Sequence, residues 1–394
     1  MTLALSARVN RIKPSPTLAV TARAAEMRAA GRDVIGLGAG EPDFDTPDHI
    51  KAAAVKAIDA GQTKYTAVGG TPALKQAVCD KFARDNHIDF TPDQILVSCG
   101  GKQSFFNLAQ AMLNKGDEVL IPAPYWVSYP DMVLLADAEP MVLPTTQAHD
   151  FKITPEQLAA AITPKTRLLV LNSPSNPSGK AYTRAELEAL ADVLRLHPQV
   201  WIATDDMYEA ILWADEPFAN IVMAAPDLLE RTIVLHGVSK AYSMTGWRIG
   251  YAAGPVALIK AMAKIQSQST SNPCSISQAA AVEALSGPQD CVQMMLEAFK
   301  QRHDKVVAGL NSLPGVECIA SDGTFYAFPD FSGAMQTMGC ADDVALGELL
   351  LERAEVALVP GSAFGTPNHM RLSFATSQDL LDQSLERLHK VLSA

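Results

Sequence analysis

The 394 residues include only six cysteines (Cys79, Cys99, Cys274, Cys291, Cys318, Cys340), and none of them forms a C-x-x-C pair. Thiols scattered singly along a chain argue against a dithiol redox motif or a disulfide framework; they predict reduced, mostly buried side chains in a cytoplasmic protein. Basic side chains are in the minority, 32 against 43 acidic ones, for a formal charge of −11. A field of that sign repels polyanions, so nucleic acid and anionic membrane surfaces are not expected partners. No apolar run approaches the ~18 residues of a membrane span. Arg8 interrupts the N-terminal stretch before it builds the apolar segment of a secretion signal.

Several catalytic signatures are missing too. GLGAGE (36–41) has Glu41 where a dinucleotide fingerprint needs its third glycine, and GGKQ and SGKA lack the Ser/Thr that completes a phosphate-binding P-loop. There is no H-E-x-x-H, no paired Cys/His spacing and no G-x-S-x-G. Metal hydrolysis, nucleotide hydrolysis and serine esterase chemistry lose their usual supports, and no metal site is expected.

What remains is ordinary globular material, 48% apolar and 19% charged, of a length that predicts two or three domains. No internal repeat or flexible linker breaks it. Short aliphatic runs (95–99, 118–124, 167–172, 200–206, 232–239, 248–254) alternate with helix-period segments, the pattern of an α/β sheet whose strands are apolar on both faces. Between two of them, TRAELEALADVLRL predicts a crossover helix. Thr183 and Glu186 form its capping box, and Leu187, Leu190, Ala191 and Leu194 form one apolar stripe. After about residue 285 a long helix, strands at VECIAS, FYAFPD, VALVP and MRLSFA, and a last helix predict a smaller α+β unit. The N-terminal arm is expected to join it, because chain ends tend to lie close together.

The segment VSKAYSMTGWRIGY (238–251) carries the most information. Lys240 follows an apolar strand, and Ser239, Thr245, Gly246 and Arg248 are small or polar groups set among apolar neighbours. Alone, a lysine there reads as a solvated strand end. Together these groups call for a buried polar partner, and a phosphorylated cofactor joined to the lysine amine would be one. Burial and nearby cations lower a lysine's pKa toward the neutral amine that Schiff-base chemistry uses.

The ordered set S-K-x-x-x-M-T-G-W-R-I-G, with NSPSNPSG upstream and MRLSFA downstream, resembles the class I pyridoxal-phosphate aminotransferases, in particular the bacterial branch of aspartate aminotransferases. The likeness runs from RIKPSPT near residue 11 to the last helix. It implies the α/β fold-type I architecture, a three-layer αβα large domain with a mainly parallel sheet plus a smaller α+β domain. The implied boundaries are an N-terminal arm and part of the small domain at 1–47, a large cofactor-binding domain at 48–285 and a small C-terminal domain at 286–394. The implied reaction moves an amino group between aspartate and 2-oxoglutarate by a ping-pong route through a Lys240 Schiff base to pyridoxal 5'-phosphate. A glutamate/aspartate–prephenate aminotransferase, or another amino-acid aminotransferase of the class, would read much the same. A carbon–sulfur lyase or decarboxylase on the same scaffold is a more distant alternative. A cofactor-sensing regulator would need a DNA-binding module, for which a likeness beginning near residue 11 leaves no room.

By the same resemblance, Lys240 would hold the cofactor and carry the proton, and Asp205 of TDDMY would pair with the pyridine nitrogen and keep it protonated. Read alone, an acid there is an exposed turn residue, a description offered for Asp206. Tyr208 and Asn176 would hydrogen-bond the phenolic oxygen, although Asn176 alone reads as an ordinary Asn-Pro turn. Gly100, Gly101 and Lys102, with Ser239 and Arg248, would hold the phosphate where a strand gives way to a helix; a plain turn is the alternative there. Trp126 would stack on the ring, or be core. Tyr65 would reach the phosphate of a neighbouring subunit, implying a homodimer with shared sites. Arg371 would clamp the α-carboxylate, with Gly40 closing over it; otherwise Arg371 is merely the outward face of a strand. Lys102 would meet the substrate's second carboxylate, and Lys13, Ser15 and Thr17 would cover its side-chain end. Gly237 and Tyr129 depart from the better-studied branch, and neither is given a role.

Overall fold

The computed structural model describes residues 3–394. The first strand, β1 (Ile35–Gly36), lies apart from the seven that follow: β2 (Ile95–Ser98), β3 (Glu118–Pro122), β4 (Glu139–Leu143), β5 (Thr166–Asn172), β6 (Trp201–Asp205), β7 (Thr232–Gly237) and β8 (Gly250–Ala253). These seven form one sheet in the order β2-β8-β7-β6-β5-β3-β4. Only β8 runs against the others, pairing antiparallel with both β2 and β7. β2, β7 and β8 are buried throughout, as expected of runs apolar on both faces. Two apolar layers cover the sheet. One holds Leu187, Leu190, Ala191 and Leu194 of the crossover helix Arg184–Arg195, and the other holds Phe105, Leu108 and Met262. The expected capping box is formed: Thr183 accepts from the Glu186 amide and Glu186 from that of Thr183.

The smaller sheets use β9 (Tyr326–Ala327), β10 (Val356–Ala357), β11 (Val359–Pro360) and β12 (Met370–Ser373). β11, β12 and β9 form an antiparallel trio, and β1 pairs parallel with β10. A separate core gathers Ile35 and Leu37 with Phe299 of the long helix Asp290–Asn311 and Leu388 of the last helix Gln378–Leu392. Ala24 and Met27 of the helix Pro16–Ala29 pack on Leu351 and Ala357.

Three local expectations need correction. VECIAS is not a strand: it makes a single bridge, Glu317 to Asp330. Its Cys318 N–H and C=O are both taken by the Asn311 side-chain amide, at 2.8 and 2.9 Å, leaving nothing there for a ladder. β4 was not foreseen. It is the partly exposed edge of the large sheet, and Pro140, which such an edge tolerates, masks its strand pattern. The cysteines are all free, but only Cys79 and Cys318 are buried and Cys274 is exposed, so the prediction of mostly buried thiols was too strong.

Candidate active site

The parallel strands β5, β6 and β7 end side by side at Asn172, Asp205 and Gly237, and the site lies beyond these carboxyl ends, where open α/β sheets bind ligands. The cleft measures about 440 Å³. The large sheet supplies its floor, and it is walled by Gly40 and Glu41, by Ser15, Thr17 and Leu18 of the N-terminal arm, and by Tyr326 and Arg371 of the smaller sheets. Four cations line it, Lys102, Lys240, Arg248 and Arg371, against two carboxylates, Glu41 and Asp205. A protein of net charge −11 has gathered positive charge at one place, an arrangement that favours the binding of anions.

Lys240 follows the buried Val238 and Ser239 beyond β7. Its Nζ donates to the carbonyl of Gly40 and sits 5.9 Å from the ring centres of both Tyr208 and Phe325. Burial first, then the charges of Arg371 and Arg248, lower its pKa from 10.5 to about 8. The neutral amine that a nucleophilic or proton-accepting lysine requires is then a minority of roughly a tenth at pH 7, where an unshifted lysine would have almost none.

Asp205 is gripped from three sides. Tyr129 donates its hydroxyl to Oδ2, the Met207 amide donates to Oδ1 at 3.2 Å, and Asn172 holds the Asp205 carbonyl at 2.9 Å. Burial lifts the Asp205 pKa while the Tyr129 hydrogen bond opposes the rise. Tyr208 shares a hydrogen bond of 3.0 Å with Tyr326, and burial and then Tyr326 push its phenol well above the usual range. Trp126 stands edge-on to Tyr129, with Lys102 Nζ 5.2 Å from its ring. Partial burial and the Arg248 charge lower the Lys102 amine.

The helix Gly101–Met112 begins at the cleft with Gly100 at φ +87°, a conformation that a side chain would strain. Any Cβ on Gly100 would lie 2.2 Å from Arg248 Nη2, and one on Gly250 would lie 2.2 Å from the Gly101 amide. Bare backbone N–H groups and a guanidinium fork therefore meet with no side chain between them. Gly237 is explained by the same closeness: a Cβ there would meet Gly250 Cα at 3.0 Å. Arg371, 3% exposed, is no outward-facing strand residue. It donates to Asn176 Oδ1 at 2.9 Å and to the Gly38 carbonyl at 2.7 Å, and packs over Tyr326 and Phe364. Its Nε is buried without a partner.

The pattern of the family described as "Aminotransferase class I and II" matches residues 32–388. An aspartate/prephenate aminotransferase from Nitrosomonas europaea is 58% identical over 99% of this chain and 100% of its own length. An aspartate aminotransferase from Geobacillus stearothermophilus is 50% identical over 99% of each. The crystal structure of an aspartate aminotransferase from Rhizobium meliloti superposes with a TM-score of 0.96 at 48% identity, covering 100% of this chain and 99% of that one. The chain belongs to the class I and II aminotransferases.

Family and fold agree with the resemblance read from the motifs, and aminotransferases of this class depend on pyridoxal phosphate. The residues present fit that group. Beside Arg248, the Gly101 and Lys102 amides at the helix start are the open N–H donors a phosphate needs, the Gly100 amide being turned to the Ser98 carbonyl at 2.8 Å, and Asp205 and the low-pKa Lys240 line the same cleft.

Most of the aminotransferase residues anticipated from sequence converge here: Gly40, Gly101, Lys102, Trp126, Asn176, Asp205, Tyr208, Ser239, Lys240, Arg248 and Arg371 line one cleft, with Gly100 directly behind. Lys13 does not. Its backbone amide bonds Asp131, and Arg11 pairs with Asp137, which lays the arm on the helix Ser128–Leu135 and puts Lys13 in an adjoining groove. Tyr65 is 93% exposed and outside this chain's own cleft. Asp206 is no exposed turn acid: it is fully buried, hydrogen-bonded to Thr204 and Asn220, and lifted by burial to about 7.

Sequence reasoning left Tyr129 without a role and missed Tyr326 and Asn172. A polar residue closing the buried run of β5 was a usable signal for Asn172. Nothing local distinguishes Tyr326 from core, because its role depends on a pairing 118 residues distant.

Proposed function

We propose that this aminotransferase exchanges the amino group between L-aspartate and 2-oxoglutarate, giving oxaloacetate and L-glutamate by a ping-pong route. The observation that carries the reading is the separation of cation duties in the cleft. Arg371 is buried and braced by Asn176 and Gly38, whereas Lys102 sits at the helix start with only Trp126 beneath it. A substrate with two carboxylates uses both. A Thermus thermophilus aspartate aminotransferase, 44% identical with a TM-score of 0.93 over 99% of this chain and 100% of that one, was solved with the dicarboxylate maleate, which supports it. Prephenate is a second reading, favoured by the name of the Nitrosomonas relative.

When bound, pyridoxal phosphate supplies an electron sink that lets the proton on the substrate's α-carbon depart. Lys240 is assigned to hold the cofactor and, through Nζ, to take the α-proton and return it. Asp205 would keep a proton on the ring nitrogen by pairing its carboxylate with it. Tyr208 and Asn176 would hydrogen-bond the phenolic oxygen, and Trp126 would stack on the ring. The Gly101 and Lys102 amides, with the side-chain-free Gly100 leaving room beside them, Ser239 and Arg248 would hold the phosphate. Arg371 fixes the α-carboxylate while Gly40 limits its escape, so every amino-acid substrate presents its Cα–H alike.

Lys102→Ala tests the dicarboxylate reading. Its backbone amide survives, so cofactor affinity should hold. Half-reactions with aspartate and glutamate should slow by about 2–3 kcal/mol, as expected for losing a charge-assisted bond. Alanine and phenylalanine should change far less. Equal losses on acidic and neutral substrates would instead assign Lys102 to the phosphate or the fold.

The working unit in this proposal is a homodimer. Tyr65 is exposed, as are Val55 and Ile58 three residues apart on the preceding helix Asp48–Asp59; a second copy would cover such apolar side chains, and Tyr65 would then complete the neighbouring site. Sedimentation under assay conditions should give a dimer; a fully active monomer would remove Tyr65 from the site. The arm at 1–47, large domain at 48–285 and small domain at 286–394 are proposed on the separation of the two cores. A cytoplasmic location is supported by six free thiols. Among the described residues, no helix is long and apolar enough to cross a membrane.

A further inference from the structure

Beneath the site lies a buried charge cluster with no part in the chemistry above. The side chains of Lys81, Glu209 and His236 are 5%, 9% and 5% exposed. Lys81 donates to Glu209 Oε1 and, at 2.8 Å, to Asn86 Oδ1. Asn86 Nδ2 donates to Glu209 Oε2 at 3.1 Å, and His236 Nε2 stands 3.2 Å from the same oxygen. His236 Nδ1 accepts from the Gly237 amide at 2.7 Å and also lies 3.3 Å from the Tyr251 hydroxyl and 3.2 Å from the Gly237 carbonyl, and its Nε2 meets Glu209 as a close polar neighbour rather than through an aligned hydrogen bond. Burial alone would raise the Glu209 carboxyl; Lys81, then His236, hold it well below the usual range. Lys81 and Asn86 bracket a π-helical turn, Phe82–Asn86, which closes the helix Pro72–Lys81. Irregular turns of this kind are frequent near functional sites.

Glu209 ends a turn in which successive residues serve different parts of the site. Asp205 points into the cleft. The methyl of Met207 fills the space that a Cβ on Gly101 or Gly237 would need, at 2.5 and 3.2 Å. Tyr208 reaches Tyr326. The backbone is clipped by Asp206 N–H to the Leu235 carbonyl at 2.9 Å and by Glu209 N–H to the Asp206 carbonyl at 3.0 Å. His236, which meets Glu209, directly follows Leu235, and Leu235 is the β7 partner of Asp205.

We propose that Glu209, held by Lys81, Asn86 and His236, is a positioning residue: it fixes the turn that aims Asp205 and Tyr208 and seats Met207 against the phosphate cradle, without touching cofactor or substrate. This rests on the pyridoxal-phosphate reading of the site. Removing one member of a buried ion pair strands the other, whereas removing both leaves a packable apolar interior. Lys81→Met/Glu209→Gln is therefore the informative variant, and Asn86→Ala, which removes a neutral side chain that accepts from Lys81 and donates to Glu209, is its uncharged counterpart.

The experiment compares cofactor-loaded wild-type and variant proteins by melting temperature, by visible circular dichroism of the bound cofactor and by steady-state kinetics with aspartate. The expected result is a folded, cofactor-loaded double variant with reduced visible dichroism. Its kcat should be lower by roughly 10- to 100-fold, the penalty of a small misplacement, while KM for aspartate stays within about threefold because Arg371 is untouched. Asn86→Ala should show the same changes to a smaller degree. Native dichroism and native kcat in either variant, whatever its melting temperature, would reduce the cluster to a prop for the fold. If the double variant does not fold, Asn86→Ala decides by the same two readouts. Wild-type protein that binds no pyridoxal phosphate would overturn the underlying reading itself, a result separate from either.

Discussion

Lys240→Ala is expected to fold, to bind pyridoxal phosphate without covalent attachment, and to transaminate at least about 10⁴-fold more slowly, the upper end of what one positioned acid–base supplies. Borohydride reduction of the wild-type protein should leave the cofactor on the peptide containing Lys240, and labelling of any other lysine would refute the assignment. The same residue makes a prediction about stability without cofactor. Folding lowers its pKa from 10.5 to about 8, so between these values the unfolded chain binds more protons than the native one, and stability rises with pH across that window. Below pH 8 the full penalty of burying the ammonium applies, about 3 kcal/mol at 1.36 kcal/mol per pH unit. The neutral replacement Lys240→Met should therefore stabilise the cofactor-free protein by up to about 3 kcal/mol at pH 7. The gain should fade by pH 10.5. Urea unfolding of both proteins at pH 7 and pH 10 measures it, and an equal difference at the two pH values would show that the amine is not strained by burial.

That trade of stability for chemistry explains why the motif around Lys240 was legible. A lysine and an arginine set among strand residues break the apolar pattern, and such a break at a buried place usually marks function. Strands β2, β3, β5, β6, β7 and β8 were equally visible, because β-branched and aliphatic runs bounded by turns leave few other readings. The amphipathic edge strand β4, with its Pro140, carried no such signal. VECIAS carried a false one, since the Asn311 amide that takes its backbone groups is seven residues from Cys318 and invisible to local pattern. Asp205 and Asp206 show the limit most plainly. The sequence holds two adjacent acids, and alternation along a strand says only that they point opposite ways. Which one lines the cleft follows from distant partners: Tyr129, 76 residues away, bonds Asp205, whereas Asp206 is taken by Thr204 and Asn220. Lys13 lies beside the cleft rather than in it for the complementary reason: the arm's course is set by Asp131 on the helix Ser128–Leu135 and by Asp137 just beyond that helix.

These adjacent acids supply the other large effect. Asp205→Asn keeps the side-chain volume and can still accept from the Met207 amide, while the Tyr129 hydroxyl can turn to accept from the new amide nitrogen. The fold should therefore survive. The phosphate contacts assigned to Arg248 and the Gly101–Lys102 backbone are untouched, so cofactor affinity should fall only modestly. What is lost is the negative charge that would hold a proton on the ring nitrogen, and with it the stabilisation of charge that develops as the α-proton leaves. Removing one preorganised electrostatic partner of that kind costs roughly 10²- to 10³-fold, about 3–4 kcal/mol. Asp206→Asn is the control. Its carboxyl faces Thr204 and Asn220 and is lifted to about 7, so it already spends much of its time uncharged near neutral pH. Its loss should change the aspartate half-reaction by less than about threefold, under 1 kcal/mol. Single-turnover rates for the two variants, measured beside their cofactor affinities, separate the roles. A loss under tenfold for Asp205→Asn, or equal losses for the two, would mean that the ring nitrogen is not paired with Asp205.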